Sequence, residues 1–204
     1  MEAKETITII LASLILALAT SFKDTSIFYA ALLSFLIIIS INVLVKKIVG
    51  FYFETQVKTK FWTWYQFGFR KDYHFKAPVP MAWLPLLVSL FSKGLVFWLG
   101  ILEFDIKAKT ERVSKRHGLY RFTQVTEWHM GLIATWAIAI NAILAILGYI
   151  AGFETFAKLS IYYIAWSVIP LGRLDGSKIL YASKGLWITI FAITAIILSW
   201  GIII

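Results

Sequence analysis

Asp175 is the acidic residue whose surroundings most suggest chemistry. It lies in the segment Ile169–Leu180, where a proline and a glycine interrupt an apolar run and an Asp-Gly pair follows. A carboxylate in this setting can ligate a metal ion, or it can close a turn and pair with Arg173 or Lys178. Ionisable groups are costly beside long apolar segments, so Asp175 is the first candidate for a functional residue.

The chain offers few other metal ligands. It has no cysteine, which excludes disulfides and thiolate metal sites, and only three histidines: His74, His117 and His129. A helical zinc site uses two histidines four residues apart on one face, and none of the three has such a neighbour. A zinc site built from His117, His129 and Asp175 is one alternative. The other is that these histidines are solvated or capping residues in polar stretches.

Long apolar segments must position these residues. Of the 204 residues, 60% are apolar and only 15% are charged, whereas soluble domains contain about 25% charged residues. The first apolar run is not typical of a secretory signal peptide, because Lys23 and Asp24 end it and a second run begins at once. We predict an all-α polytopic membrane protein, a single domain over 1–204. Its transmembrane helices, about five, are expected at 7–22, 26–46, 130–151, 157–172 and 185–204.

The net charge of +9 is distributed in a way that predicts the topology. Two basic stretches, about 46–80 and 103–130, flank the apolar segment 81–102. If this segment crossed the membrane, the basic stretches would lie on opposite sides, against the positive-inside rule. It also contains a central Lys93-Gly94 pair, which weakens a spanning helix. We therefore expect 81–102 to be re-entrant or partly extended, in a multi-pass protein of the cell membrane whose amino terminus and basic loops are cytoplasmic.

Aromatic and basic residues alternate irregularly through 51–76. Such a mixture can bind single-stranded nucleic acid, or it can form an interfacial belt of aromatic rings and snorkelling lysines. In a chain with this many apolar segments we favour the belt. Membrane lipid is then the expected partner, and nucleic acid is not.

Two segments resemble the site-2 protease family of zinc-dependent intramembrane metalloproteases. The residues around Asp175 are similar to the family's Leu-Asp-Gly motif, whose aspartate is the third zinc ligand. Residues 131–147 resemble the family's helix of small residues, and Asn141 falls at its asparagine, although the usual preceding Gly-Pro is absent. The order of elements from about 30 to 184 also agrees. The resemblance implies a site-2-protease-like core, with a metal position between these helices.

The remaining zinc ligands that the resemblance implies are missing. The family's His-Glu-x-x-His helix aligns with 42–46, which puts Asn42 and Lys46 at the histidine positions and Val43 at the glutamate. Asparagine is a poor zinc ligand, a lysine cation repels the metal, and valine cannot accept a proton from zinc-bound water. We expect no catalytic residue, no metal and no cofactor at this relic site of Asn42, Val43, Lys46 and Asp175. We predict instead a Lys46–Asp175 ion pair with Asn42 hydrogen-bonded nearby.

These observations favour one function and leave two alternatives. The favoured interpretation is a non-catalytic site-2-protease-like membrane protein, a pseudoprotease, that binds or scaffolds another membrane protein or segment as a subunit, chaperone or regulator. The first alternative is an active intramembrane zinc metalloprotease with a divergent metal site. The second is a small transporter or channel, although no helix centre carries a row of charged residues and Asp175 lies near a helix end.

Overall fold

Seven α-helices and four short β-strands make up the part of the chain that the computed structural model describes, residues 3–66, 74–108 and 126–203. The helices are α1 (Ala3–Thr20), α2 (Phe28–Tyr52), α3 (Leu84–Phe91), α4 (Glu127–Ile150), α5 (Glu154–Val168), α6 (Asp175–Ala182) and α7 (Lys184–Ile203). The strands are β1 (Thr55–Phe61), β2 (Thr63–Gln66), β3 (His74–Pro80) and β4 (Leu102–Ala108). Single 3₁₀ turns at Thr25–Ile27 and Met81–Trp83 lead into α2 and α3.

Four helices among the described residues are long and apolar enough to cross a membrane: α1, α2 with its 3₁₀ turn, α4 and α7. The protein is therefore a helical membrane protein. The predicted fifth span corresponds to α5, but this helix has 15 residues, fewer than the roughly 20 that a straight span requires. It ends early because Pro170 forces the preceding residue, Ile169, into an extended conformation.

The helices pack in two connected apolar clusters. One cluster joins α1, α2 and α5 through buried side chains such as Leu16, Phe35 and Leu159. The other joins α4 to α5 and α6, and includes Ile133 and Ile179. Helix α7 packs mainly on α5 and leaves most of its surface outside the bundle. The bundle thus has a buried centre around α2, α4 and α5, with α7 at its edge.

The four strands depart from the all-helical prediction. β1 pairs antiparallel with β4, from Thr55 opposite Ala108 to Phe61 opposite Leu102, and β2 pairs antiparallel with β3. In the first half of β1 the side chains alternate between buried and less buried positions, which is the two-residue period of a strand with one covered face. Gly50 lets β1 lie against the end of α2, because a Cβ there would stand 2.5 Å from Val57 Cγ2.

Residues 81–101, hereafter the 81–101 loop, leave the strands and return to them at Trp62. The Met81 N–H donates to the Trp62 carbonyl at 2.9 Å, and the Trp62 N–H donates to the Ile101 carbonyl at 2.8 Å. Between these bonds the chain runs through α3, turns at 92–94 and comes back without regular structure. With eight residues, α3 is about 12 Å long, too short to cross a bilayer. The segment is thus partly helical and partly without regular structure, and its two ends lie together.

The tip of the 81–101 loop touches the connection between α1 and α2. A Cβ built on Gly94 would lie 3.0 Å from Lys23 Cβ and 3.2 Å from the Lys23 backbone nitrogen. Lys23 lies three residues after the end of α1, and α3 packs along α1. The loop therefore reaches the end of α1 that is opposite Glu5.

Candidate functional site

The structure brings together the two charged residues of the predicted relic site. Lys46 Nζ donates to Asp175 Oδ2 at 2.6 Å, and the two side chains are 3% and 5% exposed. Lys46 lies within α2, which continues six residues beyond the predicted end at 46, and Asp175 is the first residue of α6. A carboxylate at a helix amino terminus is also favoured by the helix dipole. The ion pair that the sequence predicts is therefore present, and it is buried.

Gly176 sets the position of Asp175. A Cβ on Gly176 would collide with the carbonyl of Val168, the last residue of α5. The turn that joins the two helices includes Gly172, whose φ of 55° is in the left-handed region that favours glycine. Because Gly176 has no side chain, the first turn of α6 packs directly on the end of α5. This close approach turns Asp175 toward α2.

A second lysine belongs to the same site. Lys178 lies one turn after Asp175, its Nζ is 3.4 Å from the centre of the Phe104 ring, and it donates to the Phe104 carbonyl. Lys46 Nζ lies 4.8 Å from the same ring. Burial lowers the pKa of Lys178 to about 8; the negative charge of Asp175 opposes this shift, and the positive charge of Lys46 reinforces it. Two amines therefore lie beside Phe104: Lys46 is paired with the Asp175 carboxylate, and Lys178 is bonded to the Phe104 carbonyl.

The amides of the site are buried without complete hydrogen bonding. Asn42 lies one helical turn before Lys46 on the same face of α2. Its Nδ2 has no hydrogen-bond partner within the described part of the chain, so the hydrogen bond predicted for Asn42 is not made by this atom. Val43 is 1% exposed and packs in the apolar cluster of α1, α2 and α5.

Asn141 lies at a depth similar to that of Asn42. α2 and α4 are antiparallel, and Ser34 of α2 and Gly148 of α4 line one cavity of about 570 Å³. Asn42 and Asn141 are eight and seven residues from these positions, each toward the strands. Both polar atoms of the Asn141 side chain are buried and lack a partner among the described residues. The backbone carbonyl of Asn141 accepts from Ser160 Oγ at 3.1 Å. Each such buried polar atom costs about 1–3 kcal/mol.

The histidines do not form a metal site in the described part of the chain. His129 caps α4: its Nδ1 lies 2.7 Å from Thr126 Oγ1 and accepts from the Thr126 N–H at 3.3 Å. Its ring meets Phe53 edge to face at 5.0 Å. No group of three His, Asp or Glu side chains converges among the described residues. His117, with the rest of 109–125, lies outside them, as do 67–73 and the side chain of His74.

A second layer of charge beside this site has no counterpart in the sequence interpretation. Glu5 of α1 pairs with Lys47 of α2, and its Oε1 accepts from the Thr59 N–H of β1 at 3.2 Å. On the opposite strand, Glu103 is fully buried at its side chain and lies 3.2 Å from Lys60 Nζ. The signal for this strand layer was the alternation in 55–61, where Thr, Val and Thr at 55, 57 and 59 are separated by Gln or Lys.

Lys60 is shared by two carboxylates. It lies 2.6 Å from Asp105 Oδ2 as well as near Glu103. The hydrogen bond to Asp105 raises the pKa of Lys60 more than partial burial lowers it, and Glu103 raises it further. The sheet of β1 and β4 therefore has its own charge network, close to the Asp175 site through Phe104.

The aromatic stretch is only partly an interfacial belt. Phe51 and Tyr52 are exposed, as a belt requires. Trp62, in contrast, is 2% exposed and stacks at 6.2 Å on Trp98, which contacts Trp166 of α5 at 4.4 Å. The Trp62 ring is covered by Trp98, which the returning 81–101 loop supplies, and by Gly172, where an added Cβ would stand 3.0 Å from the ring. The belt prediction is therefore wrong for Trp62.

Comparison of the chain with models of protein families, with characterised proteins and with solved structures finds no match.

Proposed function

We propose that the protein is a non-catalytic, site-2-protease-like membrane protein, a pseudoprotease that binds or scaffolds another membrane protein or segment as a subunit, chaperone or regulator. The observation that carries the proposal is the buried Lys46–Asp175 ion pair at 2.6 Å. In the alignment that underlies the resemblance, Lys46 takes the place of a zinc-binding histidine and Asp175 that of the third ligand. An ammonium group paired with Asp175 neutralises the carboxylate that would otherwise attract a cation.

The neighbouring side chains support the absence of zinc chemistry at this position. Lys178 adds a second positive charge near Asp175, beside the ammonium group of Lys46 that is already paired with it. A hydrolytic zinc site of this type needs imidazole ligands and a carboxylate that acts as the base. Asn42 and Val43 supply neither group. The role of the protein is then to hold a partner rather than to cleave it.

The proposed topology is multi-pass, with the amino terminus and basic loops in the cytoplasm. All Lys and Arg residues except Lys23, Lys93 and Lys158 then lie on the cytoplasmic side. Glu5, Lys47 and the Lys46–Asp175 pair occupy one end of the bundle, and Lys23 the other. In this arrangement α5 also spans, since local thinning of the bilayer or burial by neighbours accommodates a short helix.

Helix α7 offers the most available surface for a membrane partner. Only 17% of its most apolar 18-residue segment is buried in the bundle, whereas the corresponding share is 39–44% for the other three candidate spans. Its exposed side chains include Ile188, Phe191, Ile193 and Ile196. In the membrane these side chains face lipid or the helix of another protein. We assign the partner-binding role to this face of α7.

Elemental analysis for zinc tests the loss of catalysis. Protein purified in mild detergent without a histidine tag is expected to contain far less than one zinc per chain, with or without Asp175→Ala. About one zinc per chain that disappears in Asp175→Ala overturns the proposal and favours the divergent metalloprotease.

Photocrosslinking tests the partner-binding role separately. A crosslinking amino acid is placed at Ile193 or Ile196 on α7, and as a control at Leu11 on the exposed face of α1. A discrete crosslinked protein is expected from the α7 positions and not from Leu11. Crosslinking to lipid alone at all three positions contradicts the partner-binding role.

A further inference from the structure

Lys23 and Lys93 are distant in the sequence and adjacent in the fold. Lys93 precedes Gly94, and a Cβ added to Gly94 would lie 3.0 Å from Lys23 Cβ. Both lysines are exposed. Because Lys23 lies in the short connection between two candidate membrane spans, α1 and α2, this connection and the tip of the 81–101 loop lie at the same membrane surface.

The turn after α3 holds Lys93 in a conformation that normally favours glycine. The Lys93 N–H donates to the Leu90 carbonyl at 3.2 Å, and the Gly94 N–H donates to the Ser89 carbonyl at 2.8 Å. These are the two hydrogen bonds of a Schellman motif, in which the first residue after the cap has a positive φ and is commonly glycine. Lys93 occupies that position with φ of 52°. A residue with a Cβ is less stable there, so the fold presents this lysine at a conformational cost.

The two lysines have no acidic partner within the described part of the chain. Neither forms an ion pair there. The nearest acidic neighbour in sequence, Asp24, accepts the Ser26 N–H at 2.9 Å, and hydrogen bonding to Ser26 lowers its pKa. Its carboxylate is thus engaged in starting the turn before α2. Two exposed lysines on adjacent segments, neither of them in an ion pair with a described residue, together attract an anion more strongly than either does alone.

Exposed apolar residues lie within two positions of the two lysines in the sequence. Phe91 is 82% exposed and Leu95 is 74% exposed, and Phe22 is also exposed. Aromatic rings beside lysines are typical of the boundary between headgroups and acyl chains. An anion that fits this surface therefore carries apolar chains.

We propose that Lys23 and Lys93 together bind the phosphate of an anionic phospholipid, with Phe91 and Leu95 against its acyl chains. The proposal does not depend on the proposed scaffolding function, since it requires only that the α1–α2 connection lies at a membrane surface. The alternative account is that each lysine contacts any headgroup by itself, and that Lys93 merely complements the carboxyl end of the α3 dipole.

Native mass spectrometry of the delipidated protein in detergent tests the proposal. Phosphatidylglycerol and phosphatidylcholine are titrated separately, and binding of the first lipid is measured. We expect phosphatidylglycerol to bind more tightly, and Lys23→Gln or Lys93→Gln each to weaken its binding about fivefold. Lys158→Gln is the matched control, because Lys158 lies near the start of α5 at the same end of the bundle. Equal binding of the two lipids, or equal weakening by Lys158→Gln, overturns the proposal.

Lys93→Gly separates binding from folding. Glycine relieves the backbone strain at φ of 52°, so this variant is expected to melt at a temperature equal to or above that of the parent, while it binds phosphatidylglycerol less tightly. Unchanged binding in Lys93→Gly shows that the lysine side chain is not needed and overturns the proposal. Inorganic phosphate is added as a competitor. If it displaces phosphatidylglycerol at similar concentrations, the site binds free phosphate and the assignment to lipid is wrong.

Discussion

Lys46 and Asp175, which are separated by 129 positions in the sequence, are joined through only one of the two carboxylate oxygens. Oδ2 accepts from Lys46 Nζ at 2.6 Å, and Oδ1 is buried without a partner in the described part of the chain. A pair held at one oxygen gains less from hydrogen bonding than a fully satisfied one, while both charges still lose their water. Replacing both residues is therefore expected to lower the free energy of unfolding much less than replacing one of them.

A double-mutant cycle tests this expectation. Asp175→Ala leaves the Lys46 ammonium buried without a counter-charge, so we expect it to lower the free energy of unfolding by about 3–5 kcal/mol. Lys46→Met combined with Asp175→Ala is expected to be clearly less destabilising. Unfolding in mild detergent is the measurement, with the exposed Lys184→Ala as a control. Equal melting of the single and double variants contradicts the pairing.

Gly176→Ala is expected to be far more damaging than Gly185→Ala. At Gly176 an added methyl group collides with the backbone of Val168, which cannot move without shifting α5. At Gly185 the nearest atom is Ser183 Oγ at 3.8 Å, an ordinary contact. We expect Gly176→Ala to cost more than about 3 kcal/mol or to prevent folding, and Gly185→Ala to be neutral or stabilising by up to about 1 kcal/mol. Thermal melting of both variants, measured side by side, decides the matter, and equal effects contradict the close packing of α6 on α5.

Lys178 predicts a dependence of stability on pH. This residue lies in α6, outside the four candidate spans, and its pKa is lowered to about 8 from 10.5 by burial. Between these values the unfolded state binds more protons than the folded state, so the free energy of unfolding rises with pH, by at most about 1.4 kcal/mol per unit. The measurement is unfolding at several pH values from 7.5 upward.

Lys178→Met provides the control for this pH dependence. The variant lacks the titrating amine, and we expect the difference in stability between parent and variant to change across the same interval. Other lysines and tyrosines titrate alike in both proteins and cancel in the comparison. A difference that stays constant with pH shows that the Lys178 amine is not shifted.

The charge network of β1 and β4 predicts unequal effects for Lys60 and Asp105. Lys60→Ala leaves the buried Glu103 carboxylate without its counter-charge, so we expect a loss of about 1–3 kcal/mol. Asp105 has a side chain that is 51% exposed, and Asp105→Ala is expected to cost less than about 1 kcal/mol because water screens that pair. Chemical unfolding of the two variants measures both losses of stability. If Asp105→Ala lowers the free energy of unfolding more than Lys60→Ala, the pairing of Lys60 with buried Glu103 is not the main contribution of this lysine.

The sequence predicts the helices of this protein better than it predicts the layer at their end. Runs of apolar residues near the length of a bilayer determine α1, α2, α4 and α7, since no other structure satisfies the backbone of such segments in a membrane. Their ends differ from the prediction by a few residues, as for α2, which continues to Tyr52 because Lys46 and Lys47 each find an acidic partner inside the fold. Lys46, which the sequence interpretation placed at the end of the helix, is here part of the buried site.

The strands and the burial of Trp62 depend on pairing between distant segments. β1 and β4 are joined only when the 81–101 loop returns, and no local sequence pattern predicts where it returns. The alternation in 55–61 was visible, but the same residues also fit an interfacial belt. The Lys46–Asp175 pair was predictable through the resemblance, which aligned the two positions. The incomplete hydrogen bonding of the Asn42 and Asn141 side chains within the described residues was not predictable, since hydrogen bonding depends on side-chain geometry that spacing does not determine.

The double attachment of the 81–101 loop to Trp62 determines when this region can be completed during synthesis. Trp62 leaves the ribosome well before Ile101, so its N–H has no carbonyl to bond until the whole loop has been made. α3 is too short to be retained across the bilayer on its own, and it must settle against α1 after α1 has been inserted. A nascent chain interrupted before residue 101 therefore lacks the backbone hydrogen bond that anchors the returning end of this apolar segment at Trp62.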